Sequence, residues 1–375
     1  MANVLVLGGG FGGVVAAERL AKLLVPEHRI TLVSRSRRFV FYPALVRLAF
    51  GGCEPDDITL DVREALTDRR VRFIEAEVAR VEPLERKVVL AHGEVAGELG
   101  YDYLVFALGR RLATERVRGF FEHAHHLLTV EAALKFGEAV RGFDEGHAVV
   151  GYCEGARLAL PVYETAIALS RALEARGVRG RAKITVVTPE LPGERMEGDE
   201  MRRPLREALD AHGIDFWPNF PVNRVTAERV HADGGPGMRY DLLMLLPPFA
   251  CSSTVMDQGI TDVEGYVRVA QSMRVASVER MYAVGDCVGL PGPKMAHMAV
   301  NQAEVAARNL AAEIEGRTPE AVYRHEIKLV MEEGGDDSIY FHKDLEGEGA
   351  ASVRRGRFWG WAKRAHEKYW QARHG

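Results

Sequence analysis

Short apolar, β-branched runs alternate along this chain with longer stretches whose apolar residues recur at helical spacing. That is the rhythm of repeated parallel strand–helix–strand units. Asn3–Leu7 (NVLVL) reads as a buried strand, followed by glycines and a helix from about Gly13 to Leu23. Ile30–Val33, Val71–Ile74 and Tyr101–Leu108 read as further strands of this first series. A second series opens at Ala148–Val150, runs through helices around Val162–Arg176 and 201–212 with a strand at Ile184–Val187, and reaches a strand at Leu242–Leu246. A strand over 279–284 then leads into a helix over 295–315. Each series has the order of a mononucleotide-binding half, so the expected class is α/β with two Rossmann-like dinucleotide-binding domains. Gly234-Gly235-Pro236-Gly237 reads as a turn, and 344–356 as a hinge before the tail.

The first strand runs into Gly8-Gly9-Gly10-Phe11-Gly12-Gly13, a G-x-G-x-x-G in strand–turn–helix context. Gly8 allows the tight turn, Gly10 lets the backbone approach a pyrophosphate, and Gly13 allows close packing of helix on strand. The helix N-terminus then faces the anion. The acidic residue expected after the second strand is absent, because Val33 is followed by Ser34 and Arg35. Ser34 can still hydrogen-bond a ribose hydroxyl; Arg35 either faces the adenosine phosphate or is simply solvated.

Composition narrows the classes. The 375 residues carry 49 Lys+Arg against 53 Asp+Glu, a net charge of −4 that argues against a nucleic-acid partner. Four cysteines, at 53, 153, 251 and 287, form neither CxxC nor a zinc spacing, so no disulfide scaffold or metal site is expected and a reducing compartment fits. Met1-Ala2-Asn3 offers no basic start to a signal peptide, and no uncharged apolar run is long enough to span a bilayer. His123, His125 and His126 cluster, but without cysteine or carboxylate companions they read as a linker or cover loop.

Several segments carry a family resemblance. Tyr101–Gly109 (YDYLVFALG) resembles the YDYLVxATG segment of flavoproteins with two dinucleotide domains. Tyr282–Cys287 (YAVGDC) resembles their late xxAxGD segment, whose aspartate meets the ribityl chain and phosphate of FAD. Gly155–Glu164 resembles the GAxCxGPxYE segment of sulfide:quinone oxidoreductases and flavocytochrome c sulfide dehydrogenases. Phe39–Pro43 resembles their FQFxPS loop, Leu246–Phe249 their PPF turn, Pro293-Lys294 their PKTG start, and Trp361–Trp370 their WAKxAFEKYF helix. The likeness covers essentially the whole chain. It implies a glutathione-reductase-like flavoprotein fold: 1–115 and 251–315 form the FAD domain, 116–250 a degenerate NAD-like domain, and 316–375 a membrane and quinone region. It implies FAD held at Gly8, Gly10, Phe11, Gly12, Gly13, Ser34, Arg35, Pro43, Val78, Ala107, Gly109, Gly285, Asp286 and Lys294. Val78 matches the adenine contact. The partners it implies are a quinone, a small-molecule electron donor and the cytoplasmic face of a membrane, with a homo-oligomer possible.

The resemblance breaks at two places. The second series opens on Gly151-Tyr152-Cys153-Glu154-Gly155-Ala156, where Cys153 and Ala156 replace the second and third glycines and Glu154 adds repulsion, so NADH is disfavoured. A disulfide reductase would also need a CxxxxC pair that is missing. The family's redox cysteines fall on Leu158 and Lys328, and its third cysteine near Leu128-Thr129, none of which can form a persulfide. Cys153 is the cysteine nearest that loop, either a reactive thiol or a buried structural one. Glu164 matches the family's proton-handling glutamate or is a helix-surface carboxylate, and Lys294 stabilises charge at a reduced flavin or is solvated. The function expected is electron transfer from sulfide or another reduced donor through FAD to quinone. The alternatives are an NAD(P)H:quinone oxidoreductase and a family member with structural or sensing FAD.

The tail alters the first reading of charge. Residues 354–375 hold seven Lys/Arg, one acid and three of the four tryptophans, a net of +6 that leaves −10 on the rest. Phe358, Trp361, Ala362, Ala365 and Tyr369 share one helical face, with Trp359 and Trp370 adding indoles. Interfacial aromatics and basic residues suit a membrane-associating helix on anionic headgroups; the other possibility is a helix packed on the protein's own body.

Overall fold

A computed structural model describes every residue except 192–197, 233–234, 236, 256–258, 335–336, 348 and 375. Two of the four residues read as the Gly234–Gly237 turn, and Glu348 of the expected hinge, lie outside that set. The elements used below are, in chain order, β1 (Asn3–Leu7), α1 (Phe11–Leu23), β2 (Arg29–Ser34), β3 (Val71–Glu82), β4 (Lys87–Gly93), β5 (Gly97–Gly100), β6 (Tyr103–Phe106) and β7 (Arg110–Leu112). Then come β8 (Gly146–Tyr152), α2 (Leu160–Ala175), β9 (Ala182–Val187), α3 (Arg202–Ala211), β10 (Asp215–Trp217), β11 (Leu242–Leu246) and β12 (Phe249–Cys251). The chain ends with β13 (Met281–Ala283), α4 (Ala296–Ile314), β14 (Glu326–Gly334), β15 (Asp337–Asp344), β16 (Ser352–Arg355) and α5 (Arg357–His374).

β1 is buried along nearly its whole length, as expected of a central parallel strand covered on both faces. It pairs in parallel with β2 and with β6, and β6 in turn with β13. The full order of this seven-stranded sheet is β13-β6-β1-β2-β3-β4-β5. β3 runs well beyond the Val71–Ile74 expected, because its second half turns into an antiparallel meander with β4 and β5. A second, four-stranded sheet has the order β10-β9-β8-β11, all parallel. The last sheet, β14-β15-β16, is antiparallel. β16 therefore occupies residues 352–355 of the stretch expected to be a hinge, held by ladder bonds to β15.

The loop over 288–294 ties the three sheets together. Arg157, just before α2, donates from Nε to the Gly292 carbonyl at 3.0 Å and from Nη2 to that of Leu290 at 2.7 Å. His325, just before β14, bonds the Pro291 carbonyl at 2.8 Å. Lys294 turns its ammonium inward onto the Val288 and Leu290 carbonyls.

α5 is amphipathic in an unusual sense. Its inner face carries paired polar groups beside a buried indole: Lys363 donates to Glu164 at 2.7 Å, Arg47 to Glu367 at 3.0 Å, and His374 bonds Glu18 at 2.9 Å. Its outer face carries Phe358, Trp361 and Tyr369, 62%, 62% and 57% exposed. The assignment of Trp359 and Trp370 to a membrane face is corrected. Trp359 stacks on Tyr340 at 4.1 Å, and Trp370 is buried, stacked on Phe39 at 4.5 Å and 4.9 Å from Phe11. Ring faces on the body claim those two indoles before any lipid can.

Lys294 makes this clasp pH-dependent. Burial first, then the nearby Arg157 charge, brings its ammonium down to about 7. Between that value and the ordinary lysine value of about 10.4, the unfolded chain binds a proton that the folded chain does not, so stability rises with pH across this window. Below the folded value both states are charged and the dependence vanishes. In parallel melts of wild type and Lys294→Met, wild type is expected to gain roughly 2–3 kcal/mol relative to the variant between pH 6.5 and 9. A pH-independent difference would show that the lysine titrates normally.

Candidate cofactor and active site

The C-terminal ends of β2, β1, β6 and β13 lie side by side, with Leu7 opposite both Val33 and Phe106, and Ala283 opposite Phe106. Such an edge is where ligands sit in open α/β sheets. Three residues, Gly8–Gly10, separate β1 from α1, which starts at Phe11 rather than at Gly13. Gly8 has φ +110°, and a Cβ there would stand 2.1 Å from the Ala107 carbonyl oxygen. A Cβ on Gly13 would stand 1.8 Å from the Gly8 carbonyl oxygen. Both positions are therefore glycine for packing. Gly10 is different: it is exposed, it is the N-cap without a side-chain cap, and a Cβ there meets nothing within 4 Å. Open ground lies in front of the uncapped first turn of α1, where free N–H groups and the helix dipole favour an anion.

Around this edge stand most of the residues expected at the cofactor. Gly12 packs toward Val284, and Phe11 is buried among Phe39, Phe41 and Tyr42. Ser34 is buried beneath Gly9 with its hydroxyl on the Ser36 carbonyl at 2.8 Å, while Arg35 is exposed. Pro43 lies in a single turn over 42–44, Gly109 takes φ +65° after β6, and Val78 sits at the rim of the core that β3 and β4 share. On the far side, Gly285 donates its N–H to Gln302 at 2.7 Å, and Asp286 pairs with Arg110. A small cavity, with room for little more than a water molecule, opens here, lined by Gly285, Asp286, Lys294, Met298, Gln302 and His325. Lys294 thus borders this cavity, but its ammonium is committed to backbone carbonyls and not presented as a free charge.

The second strand-to-helix turn is built otherwise. Seven residues, 153–159, separate β8 from α2, so the helix starts far from the strand end. Gly151 serves strand packing, since a Cβ would stand 2.4 Å from the Val187 carbonyl oxygen. The carboxylate of Glu190, after β9, accepts from the Tyr152 hydroxyl at 3.2 Å. Arg157 of the same turn reaches away to the 288–294 loop.

Cys153 as a reactive thiol is overturned. It is fully buried in a core with Val149, Val187 and Phe120, and burial pushes its thiol up to about 12, where no useful thiolate forms at neutral pH. Leu158 is buried, and Lys328 on β14 pairs with Glu326 at 2.6 Å. Glu164 is no surface carboxylate. It is 7% exposed on α2, accepts from Lys363 at 2.7 Å and from the Glu332 N–H at 3.1 Å, and burial holds it above the ordinary carboxylate range. Two residues escaped sequence reasoning. Arg157 and Arg110 each follow a recognised segment directly, but nothing in the pattern says where a long side chain will point.

Comparison with known proteins follows this geometry. The pyridine nucleotide-disulphide oxidoreductase family matches residues 2–303. A sulfide-quinone reductase of Aquifex aeolicus is 26% identical over 100% of this chain and 91% of its own length. A type II NADH:quinone oxidoreductase of Staphylococcus aureus is 22% identical, covering 94% of this chain and 93% of its own. The solved structure of the Aquifex aeolicus sulfide:quinone oxidoreductase superposes with a TM-score of 0.91 at 24% identity, covering 100% of this chain and 92% of that one. These likenesses place the fold among α/β flavoproteins with Rossmann-like dinucleotide-binding domains. The Aquifex proteins span nearly the same length as this chain, tail included. With a match that covers most of the sequence, the chain belongs to the pyridine nucleotide-disulphide oxidoreductase family.

Proposed function

We propose that this chain is an FAD-dependent oxidoreductase that passes electrons from sulfide or another reduced donor to a membrane quinone. The observation that carries the reading is the contrast between the two strand-to-helix turns: three residues with open ground at Gly10, against seven residues with Cys153 buried. The first fits a dinucleotide pyrophosphate; the second gives NADH neither the second and third motif glycines nor a helix N-terminus close to the strand. Likeness to a sulfide-quinone reductase along the whole chain supports quinone as acceptor.

FAD, when bound, supplies a carrier that takes two electrons from the donor and passes them to quinone. Gly8 to Gly13 would hold its pyrophosphate, and Asp286 its ribityl side. Quinone reduction consumes two protons, and Glu164 is suited to hold one. Burial keeps its carboxyl above the usual range while Lys363 and the Glu332 N–H fix one oxygen. No thiol stands at Leu158 or Lys328, so sulfur chemistry through the family's cysteine pair does not operate here. A donor that reduces the flavin directly fits these residues. A second reading, NAD(P)H as donor, is favoured by the similarity to a type II NADH:quinone oxidoreductase and by Glu190, a carboxylate of the kind that takes an adenosine ribose. Here Glu190 is bonded to Tyr152 instead. Anaerobic stopped-flow bleaching near ~450 nm separates the two readings. Sulfide or a related donor is expected to reduce the flavin at least tenfold faster than NADH, and added quinone to restore the colour. Fast bleaching by NADH would establish the second reading.

The outer face of α5 supports a peripheral seat on the cytoplasmic face of a membrane. No described helix is long and apolar enough to cross a bilayer. Phe358, Trp361 and Tyr369 are exposed together with the basic Arg357, Lys368 and Arg373, the mix of aromatic and cationic groups that suits an anionic membrane surface. Phe358→Glu with Trp361→Glu touches only exposed positions. It is expected to cut sedimentation with vesicles containing phosphatidylglycerol at least fivefold, without changing the melting temperature. Unchanged sedimentation would remove the membrane role.

A further inference from the structure

Four of the segments that carry the family resemblance converge on one side chain that the sequence does not mark. Arg110 is the first residue of β7, directly after Gly109 and beyond the end of β6. β7 pairs with β12 in a two-stranded ribbon, with Arg110 opposite Cys251, so Arg110 is anchored there and not in the main sheet. Its guanidinium lies 4.1 Å from the Phe249 ring of the Pro-Pro-Phe turn and 5.6 Å from the Tyr42 ring of the Phe39–Pro43 loop. One arm donates from Nη1 to the Asp286 carboxylate. Both side chains are largely buried, 11% and 12% exposed. The Arg110 Nε is buried with no hydrogen-bond partner among the described residues.

Asp286 poses an electrostatic problem for an anionic ligand. It is a carboxylate at the same strand edge as the Gly8–Gly13 turn, where the proposed pyrophosphate brings two more negative charges. Like charges in a partly buried site repel strongly unless a cation compensates them. Lys294 lines the same cavity but has turned its ammonium onto backbone carbonyls. Among the described residues the cation paired with Asp286 is Arg110. Its guanidinium is held over the Phe249 and Tyr42 rings and is hydrogen-bonded to Tyr42, which fixes it beside Asp286.

We propose that Arg110 is the positioning residue that neutralises and orients Asp286, so that an anionic dinucleotide can bind beside a carboxylate. The inference rests on the FAD reading above and adds to it the group that makes the Asp286 side of the site tolerate the cofactor's charge. Two consequences follow. Removing Arg110 leaves Asp286 uncompensated and repels the cofactor. Neutralising Asp286 as well removes the need for the cation, so the second substitution repairs the first.

The test is a double-mutant cycle on FAD affinity in the full-length chain. Flavin release from wild type, Arg110→Met, Asp286→Asn and the double variant is followed by FAD fluorescence on dilution, with the melting temperature of each flavin-free fraction as a parallel readout. Arg110→Met is expected to weaken FAD at least thirtyfold. The double variant is expected to recover at least tenfold of that loss, with flavin-free melting temperatures that do not follow the affinities. Arg110→Lys, which keeps the charge and most of the packing, is expected to stay within about tenfold of wild type, and it decides the matter if Arg110→Met does not fold. The proposal is overturned if Arg110→Met binds FAD within threefold of wild type, if the double variant is no better than Arg110→Met, or if Arg110→Lys loses FAD outright. A wild-type chain that takes up no FAD overturns the FAD reading itself, a result distinct from these.

Discussion

The candidate site depends on one approach of backbone to backbone. Helix α1 can start three residues after β1 only because Gly13 lies against the carbonyl of Gly8, and Gly8 against that of Ala107. Any side chain at either position would displace the helix from the sheet edge. With both glycines in place, the uncapped first turn of α1 stands beside the ends of β2, β6 and β13. Ser34, Ala107, Gly109, Gly285 and Asp286 are then gathered into one rim. The second parallel sheet repeats the strand order of the first sheet's parallel core but not this approach. Its helix starts seven residues after the strand, and the turn between them has been turned to other uses: Cys153 into the core, Arg157 onto the 288–294 loop. One architecture, used twice, thus yields one dinucleotide seat and one structural joint.

Helix α5 couples this seat to the surface. Trp370 packs on Phe11, which belongs to the glycine turn itself, while Phe358 and Trp361 on the same helix face outward. The inner face is held by ion pairs of Glu367 with Arg47, on the short helix Leu45–Ala49, and of Lys363 with Glu164 on α2, and by a hydrogen bond between His374 and Glu18 on α1. Buried pairs of this kind add less to stability than apolar packing would, but they fix which face looks inward. The arrangement uses Lys363 and Glu367 for orientation and leaves Phe358, Trp361 and Tyr369 exposed for an apolar neighbour.

What the sequence revealed follows the physics of each element. Asn3–Leu7 and Leu242–Leu246 were legible to the residue, because buried parallel strands are apolar on both faces and end abruptly at turn residues. The second half of β3 was not, because its pairing with β4 depends on a partner and not on its own pattern. The apolar face of the tail was legible from helical spacing, but spacing cannot say that Trp370 would turn inward. Its ring partner Phe39 lies more than 300 residues earlier in the chain, and the Lys363–Glu164 and His374–Glu18 pairs span 199 and 356 residues. The motif positions of the first turn were visible from spacing alone. Arg110 was not, since its importance arises only where Tyr42, Phe249 and Asp286 meet in space.

The central claim, that the Gly8–Gly13 turn is the seat of the cofactor, is tested most directly at Gly10. Its backbone, at φ −87° and ψ −171°, suits any residue, and a Cβ there meets no protein atom. Gly10→Val therefore leaves the fold alone and fills only the ground in front of the helix. FAD per chain, measured by absorbance on purified wild type and variant, should be close to one for wild type and close to zero for Gly10→Val, with unchanged flavin-free melting. A Gly10→Val chain that retains its flavin would contradict the account.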